Sequence, residues 1–361
     1  MAVSNLHNHI IDEDIARILS EDLPWEEFRG ATILVTGASG MIPSYVVYTL
    51  LGLNDTRNLG IKVIALVRNE QKARNIFGEI LDREDVSLLV QDVTQPLQLE
   101  GPVDYIVHGA SSAKPREHKA TPTNTIKANV IGTFNLIDLA VEKKSRGFVL
   151  MSSSEVYGMA AEGIESIKED DYGYLDCLNP RSCYSEGKRA AETICASYSA
   201  QYGIRCTIAR FAHIYGPGLS LDDGRVQADF AANVVRGEDI VMHSDGSSQR
   251  AYTYVADAVS AMFYALLKGS NMAYNIADSD NITSIRQLAE AFVSARPNKN
   301  LKLIIDVDEE SANNYNPAKF IGLDNSKISS LGWTPKTRLS DGVDKMLRHY
   351  EETLNYVSTD V

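Results

Sequence analysis

The stretch TGASGMIPSYVV, Thr36–Val47, stands between an apolar run and a helical pattern. The preceding run, ATILV, is rich in β-branched residues and predicts a buried strand. Gly37 suits a tight turn, and Gly40 allows the backbone to approach a pyrophosphate at the N-terminus of the following helix. Strand, turn and helix together predict a dinucleotide-binding site, although an ordinary strand-to-helix turn would also explain the two glycines alone.

The third glycine that such turns usually carry is replaced here by Pro43. Proline is tolerated in the first turn of a helix, because the N–H that it lacks would have no partner inside the helix. We therefore still expect a helix to begin directly after Gly40.

Outward from this stretch, short apolar runs alternate with helical segments as far as about Tyr215. Such alternation predicts a parallel sheet covered by helices on both faces. The expected fold class is α/β, a Rossmann-like doubly wound parallel sheet with a smaller C-terminal substrate-binding lobe. The expected divisions are an N-terminal helical extension at 1–29, a dinucleotide-binding domain at 30–215, and a mainly substrate-binding lobe at 216–361 that interleaves with the second.

The 361 residues carry a formal net charge of −13, which argues against a nucleic-acid-binding protein because such proteins usually present a basic surface. The N-terminus lacks the basic and apolar regions of a signal peptide, and no apolar run is long enough to span a membrane. The four cysteines form no CxxC pair and have no histidines at zinc-like spacing, so no metal site is expected. We expect free thiols and a cytoplasmic protein.

Charged residues follow the second and third strands, where the adenosine half of a dinucleotide would lie. An acidic residue after the second strand would bind the ribose hydroxyls of NAD, whereas this chain has Arg68, which suits the 2′-phosphate of NADP. A solvated basic helix start would explain Arg68 equally well. Asp92 ends the run VSLLVQD and is placed to meet the adenine, and HGASS, His108–Ser112, ends the fourth strand.

A tyrosine and a lysine four residues apart, Tyr184 and Lys188, lie in PRSCYSEGKRAAE. This spacing puts both side chains on one face of a helix. A lysine ammonium near a phenol lowers the pKa of the phenol, which makes the tyrosinate available as a base. An ordinary exposed helix face is the alternative, but the earlier strand end SSSEVYG, Ser152–Gly158, adds a serine that could relay the proton.

Taken together, these segments resemble the extended short-chain dehydrogenase/reductase family, which contains nucleotide-sugar epimerases, dehydratases and decarboxylases. The resemblance runs from about Ala31 to Glu351. It rests on TGASGMI, Asp92, HGAS, NVIGTFNL, SSSEVYG, YSEGK, IYGPG, GSSQRAYTYVAD and LGWTPKTRLSDGV. Within this NAD-dependent epimerase/dehydratase family, SSSEVYG, PRSCYSEGKRAAET, DDGRV and SSQRAYTYV look most similar to the UDP-glucuronate decarboxylases, or UDP-xylose synthases.

The resemblance implies a nicotinamide cofactor, NAD by the family pattern or NADP by Arg68. The implied cofactor contacts are Gly37, Ser39, Gly40, Met41, Ile42, Arg68, Asp92, Val93, Gly109, Ala110, Ser111, Asn129, Tyr184 and Lys188. It further implies that Ser153 hydrogen-bonds the sugar O4, that Tyr184 takes the O4 proton, and that Lys188 holds the nicotinamide ribose. The sugar would be oxidised at C4, changed beside the transient ketone and reduced again, so that the net redox change is zero.

Ser154 and Glu155 indicate which reaction follows the oxidation. By resemblance, 4,6-dehydratases carry Asp-Glu at these positions and use the aspartate to expel the C6 hydroxyl, whereas decarboxylases carry Ser-Glu. Simple 4-epimerases generally need no glutamate. Ser154 is a poor acid for dehydration, so the pair favours decarboxylation with Glu155 as a catalytic residue. A carboxylate that only bonds nearby loop amides is the structural alternative for Glu155.

The expected substrate contacts are Ser154, His213, Arg225 and Arg250. A guanidinium suits phosphate or carboxylate through paired N–H donors, although a surface ion pair would also explain either arginine. His213 and Gly218 stand where the resembling decarboxylases usually have Asn and Arg, so the substrate need not be UDP-glucuronate itself. We expect most of the basic side chains at 114–119 to be solvated.

The leading interpretation is a cytoplasmic enzyme that decarboxylates a nucleotide-hexuronate such as UDP-glucuronate. A nucleotide-sugar 4,6-dehydratase or 4-epimerase is the alternative enzyme. A non-catalytic NAD(P)-binding sensor is the alternative from another class, and the intact set Ser153, Tyr184 and Lys188 argues against it. By resemblance, a homodimer is expected to form through the helices at 123–144 and 184–202.

Overall fold

The centre of the fold is a seven-stranded parallel sheet; the computed structural model describes residues 9–161, 163–307 and 322–359. The strands of this sheet are β1 Thr32–Thr36, β2 Lys62–Val67, β3 Val86–Val90, β4 Tyr105–His108, β5 Gly147–Ser153, β7 Cys206–Phe211 and β11 Ala273–Ile276. Their order across the sheet is β11–β7–β5–β4–β1–β2–β3. The direction of winding therefore reverses between β1 and β4, where such sheets form their ligand-binding crevice. The predicted fold class is confirmed.

The helices cover both faces of this sheet, which explains why β1 and β4 are buried along their whole length. The helices are α1 His9–Leu19, α2 Met41–Arg57, α3 Glu70–Phe77, α4 Pro115–Ala120, α5 Pro122–Glu142, α6 Cys183–Tyr202, α7 Val226–Arg236, α8 Val255–Lys268, α9 Ile285–Ser294, α10 Ser326–Ser329 and α11 Leu339–Thr359. In the ranges that the structure describes, none of these helices combines the length and apolar character needed to cross a membrane.

The register of the central strands brings the sequence motifs to one edge of the sheet. Thr36 at the end of β1 lies opposite His108 at the end of β4, and Ser153 at the end of β5 lies opposite Phe211 of β7. Because all these pairs are parallel, the loops that follow the strands leave the sheet on the same side.

Smaller sheets are built mostly from the second half of the chain. Their strands are β6 Ser166–Ile167, β8 His213–Tyr215, β9 Ile240–Met242, β10 Gln249–Tyr254, β12 Ile282–Ser284, β13 Leu303–Ile305 and β14 Gly322–Leu323. They pair as β12–β10–β8, β13–β9 and β14–β6, while β11 returns to the central sheet. The part of the expected lobe at 308–321 and 360–361 lies outside the described residues.

The predicted N-terminal extension contains α1, which packs on α2 and α8. Residues 1–8 of this extension lie outside the described part of the chain. Asp14 of α1 is fully buried and accepts hydrogen bonds from Tyr45 (3.0 Å), Tyr254 (2.6 Å) and the Lys345 ammonium (2.8 Å). Burial raises the pKa of Asp14, and the hydrogen bond from Lys345 opposes that rise. One carboxylate thus joins α1 to α2, β10 and α11.

Candidate active site

A cleft of about 1220 Å³ lies at the edge of the sheet where β1, β2, β4 and β5 end. It is lined by the predicted site residues Gly37, Ser39, Gly40, Met41, Ile42, Arg68, Asp92, Val93, Gly109, Ala110, Ser111, Ser153, Ser154, Glu155, Tyr184, Lys188, His213, Arg225 and Arg250. Asn129 does not line the cleft. It is buried behind the wall, where its amide donates to the Thr125 carbonyl at 3.0 Å.

The N-terminus of α2 opens into this cleft. The helix begins at Met41 after Gly40, which supplies no side-chain cap for the first N–H groups. Pro43 lies in the first turn, as expected, and removes one N–H that the helix itself could not satisfy. The exposed N–H groups and the helix dipole make this end a suitable site for an anion such as a pyrophosphate.

Two loops pack backbone against backbone beside that helix end. Gly37 has a φ of +66°, and a Cβ added there would lie 2.9 Å from the Cα of Ala110. A Cβ added to Gly109 would lie 2.7 Å from the Met151 sulfur and 2.8 Å from Cγ of Pro43. Both positions therefore require glycine, since real Cβ atoms do not approach other atoms so closely.

The adenosine end of the cleft carries Arg68 and Asp92, as the sequence predicted. Arg68 is 62% exposed, and its guanidinium lies 4.0 Å from the Asp92 carboxylate, a distance typical of a weak surface pair. Further along the cleft, the buried hydroxyl of Ser111 has no hydrogen-bond partner in the part of the chain that the structure describes. A ligand hydroxyl or phosphate would satisfy this group. Three features of the cleft fit a dinucleotide. They are the close-packed loops at Gly37 and Gly109, here called the glycine cradle, the N-terminus of α2, and the Ser111 hydroxyl.

Tyr184 and Lys188 lie on one buried face of α6. The Lys188 ammonium is 5.9 Å from the centre of the Tyr184 ring and donates to the Met151 carbonyl at 2.6 Å. Burial lowers the pKa of Lys188 to about 8, against the opposing charge of Glu192.

The Tyr184 phenol has a pKa that burial raises to about 12, and the negative charge of Glu155 adds to this rise. A hydrogen bond with Ser153 and the charges of Arg225 and Arg181 oppose it. The tyrosine–lysine spacing predicted a lowered pKa for Tyr184, and this prediction is wrong. The pKa lies above its ordinary value, because burial outweighs the nearby positive charges.

A histidine stacks on the Tyr184 ring. His118 of α4 is 1% exposed, and its ring centre lies 4.6 Å from that of Tyr184 at an interplanar angle of 16°. Its Nε2 donates to the Ser112 carbonyl at 2.9 Å, so its Nδ1 is left to accept from Arg181 at 3.1 Å. Most basic side chains at 114–119 were expected to be solvated, and His118 is an exception, because α4 packs against the segment Pro180–Ser182 that precedes α6.

Glu155 is held by one side chain just before α6 and one in its first turn rather than by loop amides. Arg181 lies 3.4 Å from its carboxylate, and the Ser185 hydroxyl donates to it at 3.0 Å. The backbone N–H of Glu155 donates to the Ser153 hydroxyl at 3.2 Å. Sequence reasoning missed Arg181 and Ser185, although both lie within three residues of Tyr184 in PRSCYS.

The opposite wall of the cleft carries two arginines and a histidine. Arg225 pairs with Asp223, with Nη2 3.1 Å from Oδ2, and Arg250 donates to the Ser248 hydroxyl at 2.6 Å. Burial lowers the pKa of His213 to about 3, and the charges of Arg250 and Arg225 add to this effect. His213 is therefore a neutral group beside two cations at neutral pH. Within residues 9–161, 163–307 and 322–359, no group of three acidic, His or Cys side chains could hold a metal ion.

The cleft combines a glycine turn at a helix N-terminus with a tyrosine–lysine pair. Known protein families that share both features are therefore relevant to its function. The model of the NAD dependent epimerase/dehydratase family matches residues 33–277, more than half of the chain. The chain belongs to this family. Its cofactor is a nicotinamide dinucleotide, which is NAD by the description of the family; its fold is of the Rossmann type, and it is an enzyme.

Two kinds of relative are similar to this family member. UDP-glucuronic acid decarboxylase 6 of Arabidopsis thaliana is 34% identical over 316 residues, which cover 87% of each chain. The structure of UDP-glucose 4-epimerase from Thermotoga maritima superposes with a TM-score of 0.75 at 24% identity, covering 90% of this chain and 99% of the other. That of dTDP-glucose 4,6-dehydratase from Bacillus anthracis gives 0.73 at 22%, covering 90% and 98%. The two structures show the fold alone, and the fold does not separate these reactions.

Proposed function

We propose that this family member decarboxylates a nucleotide-hexuronate, a UDP-glucuronate-like substrate, through transient oxidation at C4. The supporting observation is the pair at the end of β5. Ser154 offers no acid to expel a hydroxyl, while Glu155 is tied to Arg181 and Ser185. The sequence similarity to UDP-glucuronic acid decarboxylases points the same way.

The dinucleotide would be held by the glycine cradle around Gly37, the N-terminus of α2, Ser111, and Lys188. Bound there, NAD would supply the hydride acceptor for oxidation at the sugar C4 and the hydride donor for the later reduction, and its oxidised form would add a positive charge to the site. Tyr184 takes the O4 proton, and Ser153 hydrogen-bonds the same oxygen. Because the pKa of Tyr184 is about 12, its deprotonation depends on added positive charge, which Arg225 and Arg181 supply only in part.

The ketone at C4 places the C6 carboxylate of a hexuronate β to a carbonyl group. The C5–C6 bond then breaks, carbon dioxide leaves, and the electron pair moves into an enolate whose charge rests on O4. The protonated Tyr184 and Ser153 donate hydrogen bonds to that oxygen. A proton from water then replaces the lost carboxylate at C5. Return of the hydride to C4 and of the Tyr184 proton to O4 restores the C4 hydroxyl, so that the net change is the loss of carbon dioxide. No hydroxyl leaves, so this reaction requires no acid at Ser154.

The two arginines of the opposite wall suit an anionic substrate. Arg225 and Arg250 both line the cleft, and a guanidinium binds a carboxylate or phosphate through paired N–H donors. We assign residues 216–361 mainly to the sugar nucleotide and residues 30–215 mainly to NAD, with His213 and Ser154 as further substrate contacts.

The test is incubation of purified protein with UDP-glucuronate and NAD, followed by mass spectrometry of the nucleotide sugar. The expected product is lighter by one carbon dioxide. Tyr184→Phe is the matched control, because it keeps the ring that stacks on His118 and removes only the hydroxyl. A substrate that retains its full mass at every NAD concentration would refute decarboxylation.

The alternatives are separated in the same assay by other substrates. A 4,6-dehydratase removes water from a nucleotide-hexose, and a 4-epimerase interconverts UDP-glucose and UDP-galactose without a change of mass. A sensor binds NAD and turns over none of them. Arg68 leaves NADP as the alternative cofactor, to be tested in parallel.

The exposed apolar residues of α5 and α6 support a homodimer through these two helices. They are Ile126, Ile131, Phe134 and Tyr202. The expected result is twice the chain mass in light scattering, and Phe134→Glu should shift it to the single-chain mass. The four free cysteines, one of them exposed, support a reducing, cytoplasmic location.

A further inference from the structure

The two ends of the loop that carries residues 153–155 are bonded to one buried ion pair. The pair consists of Glu192 on α6 and Arg210 on β7. Arg210 Nε lies 3.0 Å from one carboxylate oxygen, and its Nη2 lies 2.6 Å from the other. The two side chains are 9% and 1% exposed, so the pair is shielded from solvent.

Each partner holds one end of the loop. The Ser152 hydroxyl donates to Glu192 at 2.5 Å, and Arg210 donates to the Tyr157 hydroxyl at 3.0 Å. The Arg210 guanidinium also lies 5.0 Å from the centre of the Tyr157 ring. No bond between this pair and residues 153–155 themselves is found among the described residues, so the pair fixes the flanks and leaves the reactive groups facing the cleft.

The guanidinium of Arg210 is fully engaged. Besides Glu192 and Tyr157, it donates to the Glu169 carbonyl at 2.6 Å and to the Tyr172 hydroxyl at 2.8 Å. These bonds use all five N–H donors of an arginine. A lysine could not reproduce this geometry, because its ammonium has three donors and no planar fork. The arrangement therefore has one conformation in which every group is satisfied.

Glu192 also lies one helical turn after Lys188 on α6. Its charge opposes the effect of burial on the pKa of Lys188. The other groups that interact with Lys188 are Cys195 and Tyr184 of α6 and His108 of β4. Of these, Glu192 is the carboxylate, so it favours the ammonium form.

We propose that the Glu192–Arg210 pair is a positioning element of the reaction, which fixes Ser152 and Tyr157 so that Ser153 and Glu155 meet the sugar. Neither partner touches substrate or cofactor. The inference rests on the proposed function for the catalytic roles of Ser153 and Glu155, whereas the holding of the loop does not depend on which sugar is turned over.

The test removes both charges together, because a single substitution would leave an unpaired buried charge and destabilise the fold. Glu192→Leu/Arg210→Met is the main variant. Arg296→Met/Glu351→Leu is the control, since it removes a partly buried arginine–glutamate pair far from this loop in sequence, in which Arg296 Nε lies 2.9 Å from Glu351. Asp344 and Lys299, which also pair with these two residues, remain. Cooperative thermal unfolding of each variant verifies that it is folded.

In the main variant we expect the amide hydrogens of 152–157 to exchange about tenfold faster than in the wild type. The kcat should fall about 100-fold, the loss typical of small misplacement of reacting groups. The KM for the sugar nucleotide should change by less than about threefold, because the pair does not contact it. The control should show wild-type exchange in this loop.

A second variant separates position from charge. Glu192→Gln/Arg210→Met keeps an acceptor for Ser152 and should restore slow exchange at that end of the loop alone. Both double variants lack the Glu192 charge, so both should move the basic limb of the pH–rate profile that Lys188 produces to lower pH. This shift reports the charge of Glu192, whereas the difference in exchange between the two double variants reports its hydrogen bond to Ser152.

A folded main variant with wild-type exchange at 152–157 and wild-type kcat would overturn the proposal. If the double variants do not fold, Arg210→Lys decides, because it keeps the charge and should still speed exchange near Tyr157. A wild-type protein that turns over no nucleotide sugar would refute the proposed function only. The exchange measurement needs no substrate and decides the positioning role separately.

Discussion

The two ends of the cleft are formed by different kinds of contact, backbone packing at the cofactor end and charged side chains at the sugar end. At the cofactor end, Gly37 and Gly109 bring backbone against backbone, and recognition depends on shape. At the sugar end, side chains are already paired, Arg181 with Glu155 and Arg225 with Asp223, so a substrate must exchange partners with them. The first end should therefore resist any added atom, and the second should respond to any change of charge.

The sharpest test is at Tyr184, where the two ends meet. Tyr184→Phe keeps the stacked ring and removes the proton acceptor, so we expect kcat to fall about 1000-fold, as for a lost general base. Binding of the reduced cofactor, NADH, followed by its fluorescence, should stay near the wild-type value. A variant with more than a tenth of the wild-type kcat would exclude Tyr184 as the base.

The close backbone packing at the cofactor end can be tested by adding one methyl group, the Cβ of an alanine, at Gly37. Gly37→Ala should lower the free energy of unfolding by about 1–3 kcal/mol and weaken NAD binding, because of its positive φ and its contact with Ala110. Gly60→Ala is the control, since Gly60 has the same φ of +66° with no atom within 4 Å of an added Cβ. Calorimetric titration with NAD should show weaker binding for the Gly37 variant alone. Equal effects of both variants would mean that strain, and not shape, governs this end.

The sugar end should respond to charge without loss of fold. Arg225→Gln should raise the KM for the nucleotide sugar roughly tenfold, as expected for one lost charge-assisted hydrogen bond. Arg236→Gln changes an exposed residue at the far end of α7, the helix that Arg225 precedes, and should leave steady-state kinetics unchanged. The melting temperature of Arg236→Gln should match the wild type, whereas that of Arg225→Gln should fall, because the buried Asp223 carboxylate loses its cation. Cooperative unfolding verifies that both variants are folded. A KM of Arg225→Gln within twofold of the wild type would contradict a binding role.

The pH dependence sharpens the comparison at Lys188. Its pKa in the folded protein is about 8, below the ordinary value of 10.5, so the folded protein loses this proton first. The charged form destabilises the fold below pH 8, and stability should increase as pH rises from about 8 toward 10.5. Activity should fall over the same range as the ammonium is lost.

Parallel denaturant titrations and pH–rate profiles check these opposite trends. Lys188→Arg remains protonated throughout this range, so it should remove the basic limb near pH 8 from the profile. A limb that persists in this variant would assign the titration to another group.

The smallest effect is expected at Arg68. Its guanidinium is 62% exposed and lies 4.0 Å from Asp92, so Arg68→Ala should change NAD affinity by no more than about twofold. If Arg68 suits a 2′-phosphate, the same variant should weaken NADP binding several-fold more than NAD binding. Competition between the two dinucleotides measures the ratio. An unchanged ratio would identify Arg68 as part of a solvated helix start.

Local patterns predicted the fold because the sheet is parallel and its strands are buried on both faces. The apolar run before Gly37, the turn and the following helix appear in the structure where the sequence placed them. The same patterns brought Tyr184 and Lys188 together, since four residues along a helix is a local relation.

The rest of the site depends on contacts between distant segments, which spacing does not encode. Most basic side chains at 114–119 were expected to be solvated, whereas His118 is buried on Tyr184 because α4 packs against the segment Pro180–Ser182. Arg181 joins His118 to Glu155 across the cleft wall. The pKa of Tyr184 was misjudged for the same reason, because burial is a property of the assembled core and a pair of residues does not reveal it.

The buried carboxylate of Asp14 has a consequence for the synthesis of the chain. Lys345, the cation that pairs with Asp14, follows 331 residues later in the chain. During synthesis, Asp14 therefore leaves the ribosome long before its partner. Until then, α1 has no positive charge from α11 to offset the burial of Asp14. We therefore expect α1 to be synthesised first but to pack stably only after α11 is complete. In a nascent chain stopped before α11, α1 should remain sensitive to proteolysis.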